Sequence, residues 1–261
     1  MVISGAGFSS PPDEVSRLDT LRQDAVHFLE TGADIFSAPM RFESRDWGWV
    51  AAWMGGTLVL STQDLRVKRF VLAHQSRTAD ALFAFDDYYG SKYTPIYLMG
   101  TYAAGLLFDL PRMRRTALYA SEALFYVGVI SAIIKVGVGR QRPYGGDDPY
   151  VFRPFNGTIR YRSFPSGHTV IAFATSTVIA EQIHHSLWKW GWYGAAALVA
   201  AARIYHNVHW LSDVVPSAVL GYVIARRVMT RERSDTPPRV RLTPIWNPTL
   251  SSVGMGLRIR F

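Results

Sequence analysis

The sequence predicts an all-α protein, a six-helix bundle followed by a short C-terminal β-strand. Two observations carry the bundle. Six apolar segments of helix length recur along the chain. Polar stretches separate them, and the longest, 62–95 and 135–167, hold Gly, Pro and Asp residues that break helices. A third observation sets off the tail, where apolar and polar residues alternate with the period of a strand.

Taken in order, residues 1–13 hold Gly, Ser and Pro and read as a loose leader. No basic stretch followed by an apolar core opens the chain, so no signal peptide is expected from this numbering. Across 14–40, Leu18, Leu21, Val26, Phe28 and Leu29 fall at helical spacing and predict a surface helix. The apolar segments then run about Trp47–Ser61, Ile96–Phe108, Ala117–Ile134, from after His168 to near Ile183, Trp190–Ala202 and Leu211–Ala225. Between the first two, residues 64–93 are polar with some helical pattern. Past the polar run Arg231–Arg241, Val253, Met255, Leu257, Ile259 and Phe261 alternate with Ser252, Gly254, Gly256, Arg258 and Arg260. A short strand pairing with another terminal segment explains this better than a membrane-barrel strand, because no series of similar strands precedes it. Three parts follow: a leader with a surface helix (1–46), a helical domain (47–230) and a tail with a strand (231–261).

Composition narrows the function classes. Apolar residues make up 49% of the 261, and mean hydropathy is +0.06, too apolar for a disordered chain. Most apolar segments fall short of the roughly 20 residues a spanning helix needs, and the third carries Glu122. A membrane-associated bundle with short or tilted spans is the leading reading. A compact bundle whose helices are buried in protein is the alternative. The net charge of +8 suits nucleic acid, anionic lipid or a phosphorylated substrate. Nucleic acid is set aside, because the basic residues form no single stripe and no recognisable binding module is present. The absence of cysteine excludes disulfides, thiol chemistry and cysteine-ligated zinc.

Three clusters hold residues with chemistry. Lys135 precedes Arg142 and Pro143 in KVGVGRQRP; Ser166, Gly167 and His168 lie in SFPSGHT; Arg203, His209 and Asp213 lie in ARIYHNVHWLSD. His209 and Asp213 are four apart and share a face of a helix. A carboxylate there accepts the proton on one ring nitrogen and leaves the other free as nucleophile or base. Arg203 closes an apolar segment and needs an anionic partner, because a buried unpaired charge is costly. The plainer reading is a structural Arg–Asp pair beside a satisfied histidine. Ser166 reads as a helix N-cap, whose free N–H groups favour an anion, with His168 in the first turn; the plainer reading is a capped turn. Lys135 and Arg142 can converge on one oxyanion, as a point charge and a fork; the plainer reading is a basic helix end. In an up-and-down bundle all seven residues fall at one end, so three plain readings would have to coincide there.

In order and spacing these clusters resemble the type 2 phosphatidic acid phosphatase (PAP2) family, which includes the vanadium haloperoxidases. The family pattern is Lys, six residues, Arg-Pro; then Pro-Ser-Gly-His; then Ser-Arg, five residues, His, three residues, Asp. All spacings match, and Ala202 stands where the family usually has Ser, which puts one secondary phosphate contact in doubt. The resemblance covers about residues 95–228 and leaves the N-terminal third and the tail unexplained. It implies a six-helix bundle of the PAP2/haloperoxidase type and a phosphatase needing no metal or cofactor. The substrate it implies is a phosphomonoester or pyrophosphate, foremost of a lipid. By resemblance, Lys135, Arg142 and Arg203 hold the phosphate oxygens with Ser166 and the Gly167 N–H. His209 attacks phosphorus and becomes phosphohistidine, Asp213 orients it, and His168 protonates the leaving oxygen and then activates water. The alternatives are a broad-specificity soluble or peripheral acid phosphatase and a vanadate-dependent haloperoxidase. A non-enzymatic membrane protein is disfavoured, because every implied residue is present.

Arg112, Arg114, Arg115, Lys189, Arg226, Arg227, Arg231 and Arg233 gather at the end of the bundle away from these clusters. If the chain spans a membrane, the positive-inside rule places them in the cytoplasm and the site outside it, in the cell envelope. Trp188, Trp190 and Trp192 resemble an interfacial belt, or equally core or surface aromatics. Asp147 and Asp148 read as solvated turn residues. Substrate choice is expected to depend on 144–163 and 64–93, with Arg153, Arg160 and Arg162 candidates for a second anionic group.

Overall fold

The computed structural model describes residues 17–235, 240–247 and 252–259, with side chains over 17–231. The expected leader, 1–13, lies outside the described residues. Among the described residues are nine α-helices: α1 (Arg17–Ser37), α2 (Ser44–Ser61), α3 (Asp64–Ala73), α4 (Arg77–Phe83), α5 (Thr94–Leu107), α6 (Pro111–Val138), α7 (Gly167–Gln182), α8 (Ser186–Tyr205) and α9 (Leu211–Asp235). The expectation of six is therefore corrected. The six apolar segments correspond to α2 and α5–α9. α1 occupies the stretch expected to hold a surface helix, and α3 and α4 are built from the polar connection. A helix needs only an apolar stripe to pack, so counting continuous apolar segments passes over those with charged faces. In the tail, the backbone pairs Val240–Asn247 antiparallel with Ser252–Ile259. Side chains there lie outside the described residues, and the fold rests on the helices alone.

α7 sits at the centre, packed against α6, α8 and α9. Tyr126 and Val127 of α6, Val170 and Val178 of α7, and Ala225 and Val228 of α9 form the main core, joined by Phe28 and Ile35 of α1. Each large side chain removed from water there contributes about 1.5–3 kcal/mol. A smaller cluster of Ala172, Ala196 and Val199 seals α7 to α8.

The end of α6 shows why the Lys-to-Arg-Pro spacing works. Pro111 starts the helix at a position where its missing N–H costs nothing. Gly139 stops it in the left-handed region, φ 59°. A Cβ at 139 would fall 2.0 Å from the Arg153 carbonyl oxygen, so only glycine fits. The chain then runs extended between two neighbours. Arg153 N donates to Gly139 O at 2.7 Å, Gln141 N to Val151 O at 2.9 Å, Arg142 N to Arg160 O at 2.8 Å, and Ser163 N to Arg140 O at 3.0 Å. Arg140 and Arg142 are thus clamped on both sides.

α6 is the one helix among the described residues long and apolar enough to cross a membrane. Large apolar side chains also stand exposed on other helices, among them Leu58 and Val59 of α2, Ile96 and Met99 of α5, and Val219 and Val223 of α9. Trp188 and Trp190 project outward, whereas the Trp192 ring turns toward Tyr89, 6.1 Å away. The basic end is partly neutralised. Arg114 pairs with Asp24, Arg226 with Glu181, Arg227 with Asp34 at 2.8 Å and Arg231 with Glu30 at 2.8 Å.

Candidate active site

The junction between α8 and α9 positions Arg203, His209 and Asp213 through two backbone devices. At the first, α8 ends in a Schellman motif. Asn207 is left-handed, φ 56°; its N–H donates to Ile204 O at 2.9 Å, and Val208 N donates to Arg203 O at 3.3 Å. His209 N also donates to Arg203 O, at 3.2 Å. The six-residue step from Arg203 to His209 is therefore one helix cap, folded so that both residues meet. The second device starts α9. The Asp213 carboxylate reaches back one turn to accept Trp210 N at 2.8 Å, as the third residue of a capping box does. His209 is thereby left on the short link between helices.

Asp213 is fully buried. Its Oδ1 accepts from Arg140 at 2.7 Å. Its Oδ2 accepts from Ser163 Oγ at 2.5 Å and faces His209 Nδ1 at 3.6 Å, beyond hydrogen-bond length in this resting arrangement. Burial alone would raise its carboxyl pKa. The neighbouring His209, the Arg140 charge and the Ser163 hydroxyl overcome that and hold it at about 2. His209 is only 3% exposed. Burial first, then the charges of Lys135 and Arg142, press its imidazole down to about 3 against the pull of Asp213. It is neutral at physiological pH.

The other two clusters arrive from α6 and α7. The Lys135 ammonium donates to Arg162 O at 3.3 Å and to Pro165 O. A Cβ on Gly167 would sit 3.9 Å from Lys135 Cε, which places the lysine against the start of α7. Ser166 precedes that helix, but its hydroxyl makes no cap bond to the backbone; it accepts from Thr169 Oγ1 at 2.9 Å. Ser166 N donates to Ser217 Oγ of α9 at 2.7 Å, tying the start of α7 to the turn after Asp213. The N–H groups of Gly167, His168 and Thr169 precede the first helical bond, from Val170 N to Ser166 O at 3.1 Å, and have no intrahelical partner. His168 lies in that first turn. Burial, then Arg203, Arg142 and Lys135, lower its imidazole to about 4, so all three cations act on the same histidine. The structure therefore brings together Lys135, Arg142, Ser166, Gly167, His168, Arg203, His209 and Asp213.

These cations are incompletely paired. The Nε atoms of Arg142, Arg162 and Arg203 are buried without a hydrogen-bond partner. Arg203 spends one terminal nitrogen on Asp86, at 2.5 Å. Buried N–H groups of this kind call for an acceptor, and an oxyanion among them meets that demand. Among the described residues no three His, Cys, Asp or Glu side chains come together as a metal-binding group.

Several residues that frame the site escaped the sequence reading. Arg140, two positions before Arg142, holds Asp213 and also pairs with Asp64 at 2.7 Å. Asp64, Lys68 and Asp86 come from the polar 64–93 stretch. Lys68 is nearly buried and donates to Pro143 O at 2.7 Å, Gly146 O at 2.8 Å and Asp147 at 2.6 Å. Asp147 is thus an ion-pair partner rather than a free turn residue. Of the three loop arginines, Arg153 stacks on Tyr161, 5.0 Å from the ring centre, and Arg160 donates to Gly145 O. Arg162 is the one left with an unpartnered buried Nε.

Fold and site together define a helical bundle that ends in an anion cradle facing a carboxylate-backed histidine. Residues 116–235 match the model of the PAP2 superfamily. The chain is 28% identical over 152 residues to a lipid A 1-phosphatase of Rhizobium johnstonii, covering 54% of this chain and 62% of that protein. It is 27% identical over 120 residues to a lipid A 4'-phosphatase of Porphyromonas gingivalis, covering 41% and 51%. The chain thus spans about half to three fifths of the length of these relatives. The fold is shared with the crystal structure of a transmembrane PAP2-type phosphatidylglycerolphosphate phosphatase from Bacillus subtilis. That match has a TM-score of 0.57 and 19% identity, and covers 72% of this chain and 98% of the other.

Proposed function

We propose that this protein is a phosphatase that hydrolyses the phosphate of a membrane lipid through a phosphohistidine at His209. The observation that carries the reading is the cradle itself. Buried guanidinium N–H groups without partners surround a buried, neutral histidine backed by Asp213. Phosphoryl transfer depends mostly on positioning and on stabilising charge over the phosphoryl oxygens, and such a cradle supplies both.

In this reading Lys135, Arg142 and Arg203 hold the oxygens, with the Gly167 N–H and Ser166 at the start of α7. His209 Nε2 attacks phosphorus in line. The P–O bond to the lipid breaks, and His168 gives its proton to the leaving oxygen. Asp213 stabilises the charge the His209 ring acquires. His168, now neutral, takes a proton from water, which attacks the phosphohistidine and releases inorganic phosphate. A bound phosphate dianion offsets the three cations that lower His168, so the ring gains its proton once substrate is present.

The lipid assignment rests on relatives named as lipid A phosphatases and on the exposed apolar side chains of α2, α5 and α9, which suit a bilayer. We place the protein in an envelope membrane with the site away from the cytoplasm. The test is phosphate release in the presence of chelator from a phosphorylated lipid A, a polyprenyl pyrophosphate and a soluble aryl phosphate. Lipid A is expected to be the best substrate. Equal or better turnover of the aryl ester would replace this reading with a broad-specificity phosphatase.

A further inference from the structure

α3 lies outside the residues that match the superfamily model, yet it carries a carboxylate into the heart of the site. Asp64 opens that helix and is 1% exposed. Its Oδ2 accepts from Arg140 at 2.7 Å and from Ser212 Oγ at 2.5 Å. Its Oδ1 accepts from Ser212 N at 2.9 Å. Arg140 has no spare nitrogen. Nε donates to Pro149 O at 3.0 Å, and its second terminal nitrogen donates to Asp213 at 2.7 Å and Ser212 Oγ at 2.8 Å. One buried guanidinium is therefore shared between two buried carboxylates, and only one of them touches His209. Lys68, one turn along α3, fastens the helix to the 143–147 loop.

The sharing matters for the chemistry. A carboxylate orients a nucleophilic histidine and stabilises its developing positive charge only while it keeps its own negative charge. A cation paired with Asp213 alone would cancel that charge. We propose that Asp64 is a positioning residue for the His209–Asp213 pair. It draws off part of the Arg140 charge and fixes the fork so that one nitrogen meets Asp213 Oδ1, leaving Oδ2 toward His209. Burial pushes the Asp64 carboxyl pKa up, and the donors from Ser212 and Arg140 oppose that rise. The inference rests on the phosphatase reading given above, since it assigns Asp64 a part in that reaction.

The test is Asp64→Asn, which keeps an oxygen for Arg140 and Ser212 and removes the charge. The kcat is expected to fall about tenfold, with KM and the inhibition constant of inorganic phosphate unchanged within about twofold, because the phosphate cradle is not touched. An unchanged kcat would overturn the proposal. So would a parallel weakening of phosphate inhibition, which would make Asp64 part of the framework of the cradle. If thermal melting shows that Asp64→Asn does not fold, Ser212→Ala serves in its place. It removes one hydroxyl from the same bridge and is expected to lower kcat about threefold with the same split; either contrary result counts against the proposal in the same way. His209→Ala is assayed alongside. Phosphate release that survives in that variant sinks the assignment of the reaction to His209, and no release from the unmodified protein sinks the phosphatase reading, whatever Asp64 does.

Discussion

Arg140 and Arg142 are two residues apart and stand in opposite surroundings. Arg140 belongs to a closed layer in which Asp64, Ser163, Ser212 and Asp213 satisfy one another at 2.5–2.9 Å. Arg142 belongs to an open layer with Lys135, Arg162 and Arg203, in which three guanidinium Nε atoms are buried without acceptors. The closed layer is buried throughout, whereas the open-layer cations are half-buried with buried Nε atoms; pairing separates the two as well. A paired buried charge holds a structure together, and removing one partner is expensive. An unpaired one costs free energy in the resting protein and is explained by the anion it receives. Under the proposed function, the contrast separates residues that build the site from residues that would hold the substrate.

The largest expected effect breaks the closed layer. Arg140→Met leaves Asp64 and Asp213 buried without their cation and should destabilise the protein by about 3–5 kcal/mol, read by denaturant unfolding in detergent. Arg142→Gln should do the reverse. Phosphate release should fall about a hundredfold, by loss of one donor to the transferring group, while unfolding stability stays equal or rises. Stability lost in Arg142→Gln, or kept in Arg140→Met, would erase the distinction between the layers.

A pH profile sharpens it. The open layer lowers His168 to about 4 in the free protein, and a general acid must be protonated to act. The ratio kcat/KM reports the free protein, so it should decline as pH rises from about 4. The kcat limb should lie at higher pH, because bound phosphate screens Arg203, Arg142 and Lys135. Arg142→Gln removes one depressing charge and should move the kcat/KM limb upward. Coincident limbs in the unmodified protein would mean that the cations do not act on His168.

The smallest effect concerns the cap that joins Arg203 to His209. Asn207 holds a left-handed conformation that costs most residues about 1–2 kcal/mol. Asn207→Gly should be neutral in melting temperature and Asn207→Val destabilising; equal melting of the two would remove the cap from the account.

Much of the open layer was legible in the sequence because its spacings are local. Lys135 to Arg142 spans one helix end and a glycine stop; Arg203 to His209 spans one Schellman cap; His209 to Asp213 spans one helix start. Each spacing has a backbone cause that operates within a few residues. Of the closed layer Asp213 alone was legible, and the long-range partners of both layers were not. Asp64 meets Arg140 across 76 positions, and Asp86 meets Arg203 across 117. No periodicity records such a meeting. Both acids sit in the polar 64–93 stretch, where a buried carboxylate looks the same as a solvated one. Arg140 was passed over because Arg142 satisfied the family spacing. The six apolar segments were legible as helices, whereas α3 and α4, with charged faces, were not resolved as separate elements.

The central claim is a covalent phosphohistidine at His209, and trapping it tests that claim most directly. An aryl phosphate needs little help in leaving, so His168→Ala should still be phosphorylated by a labelled aryl substrate but should hydrolyse the intermediate slowly. Rapid quenching is predicted to show an acid-labile, base-stable label on His209 that disappears in the His168→Ala, His209→Ala double variant. A label on another residue, or phosphate release with no protein-bound label at any quench time, would contradict the account.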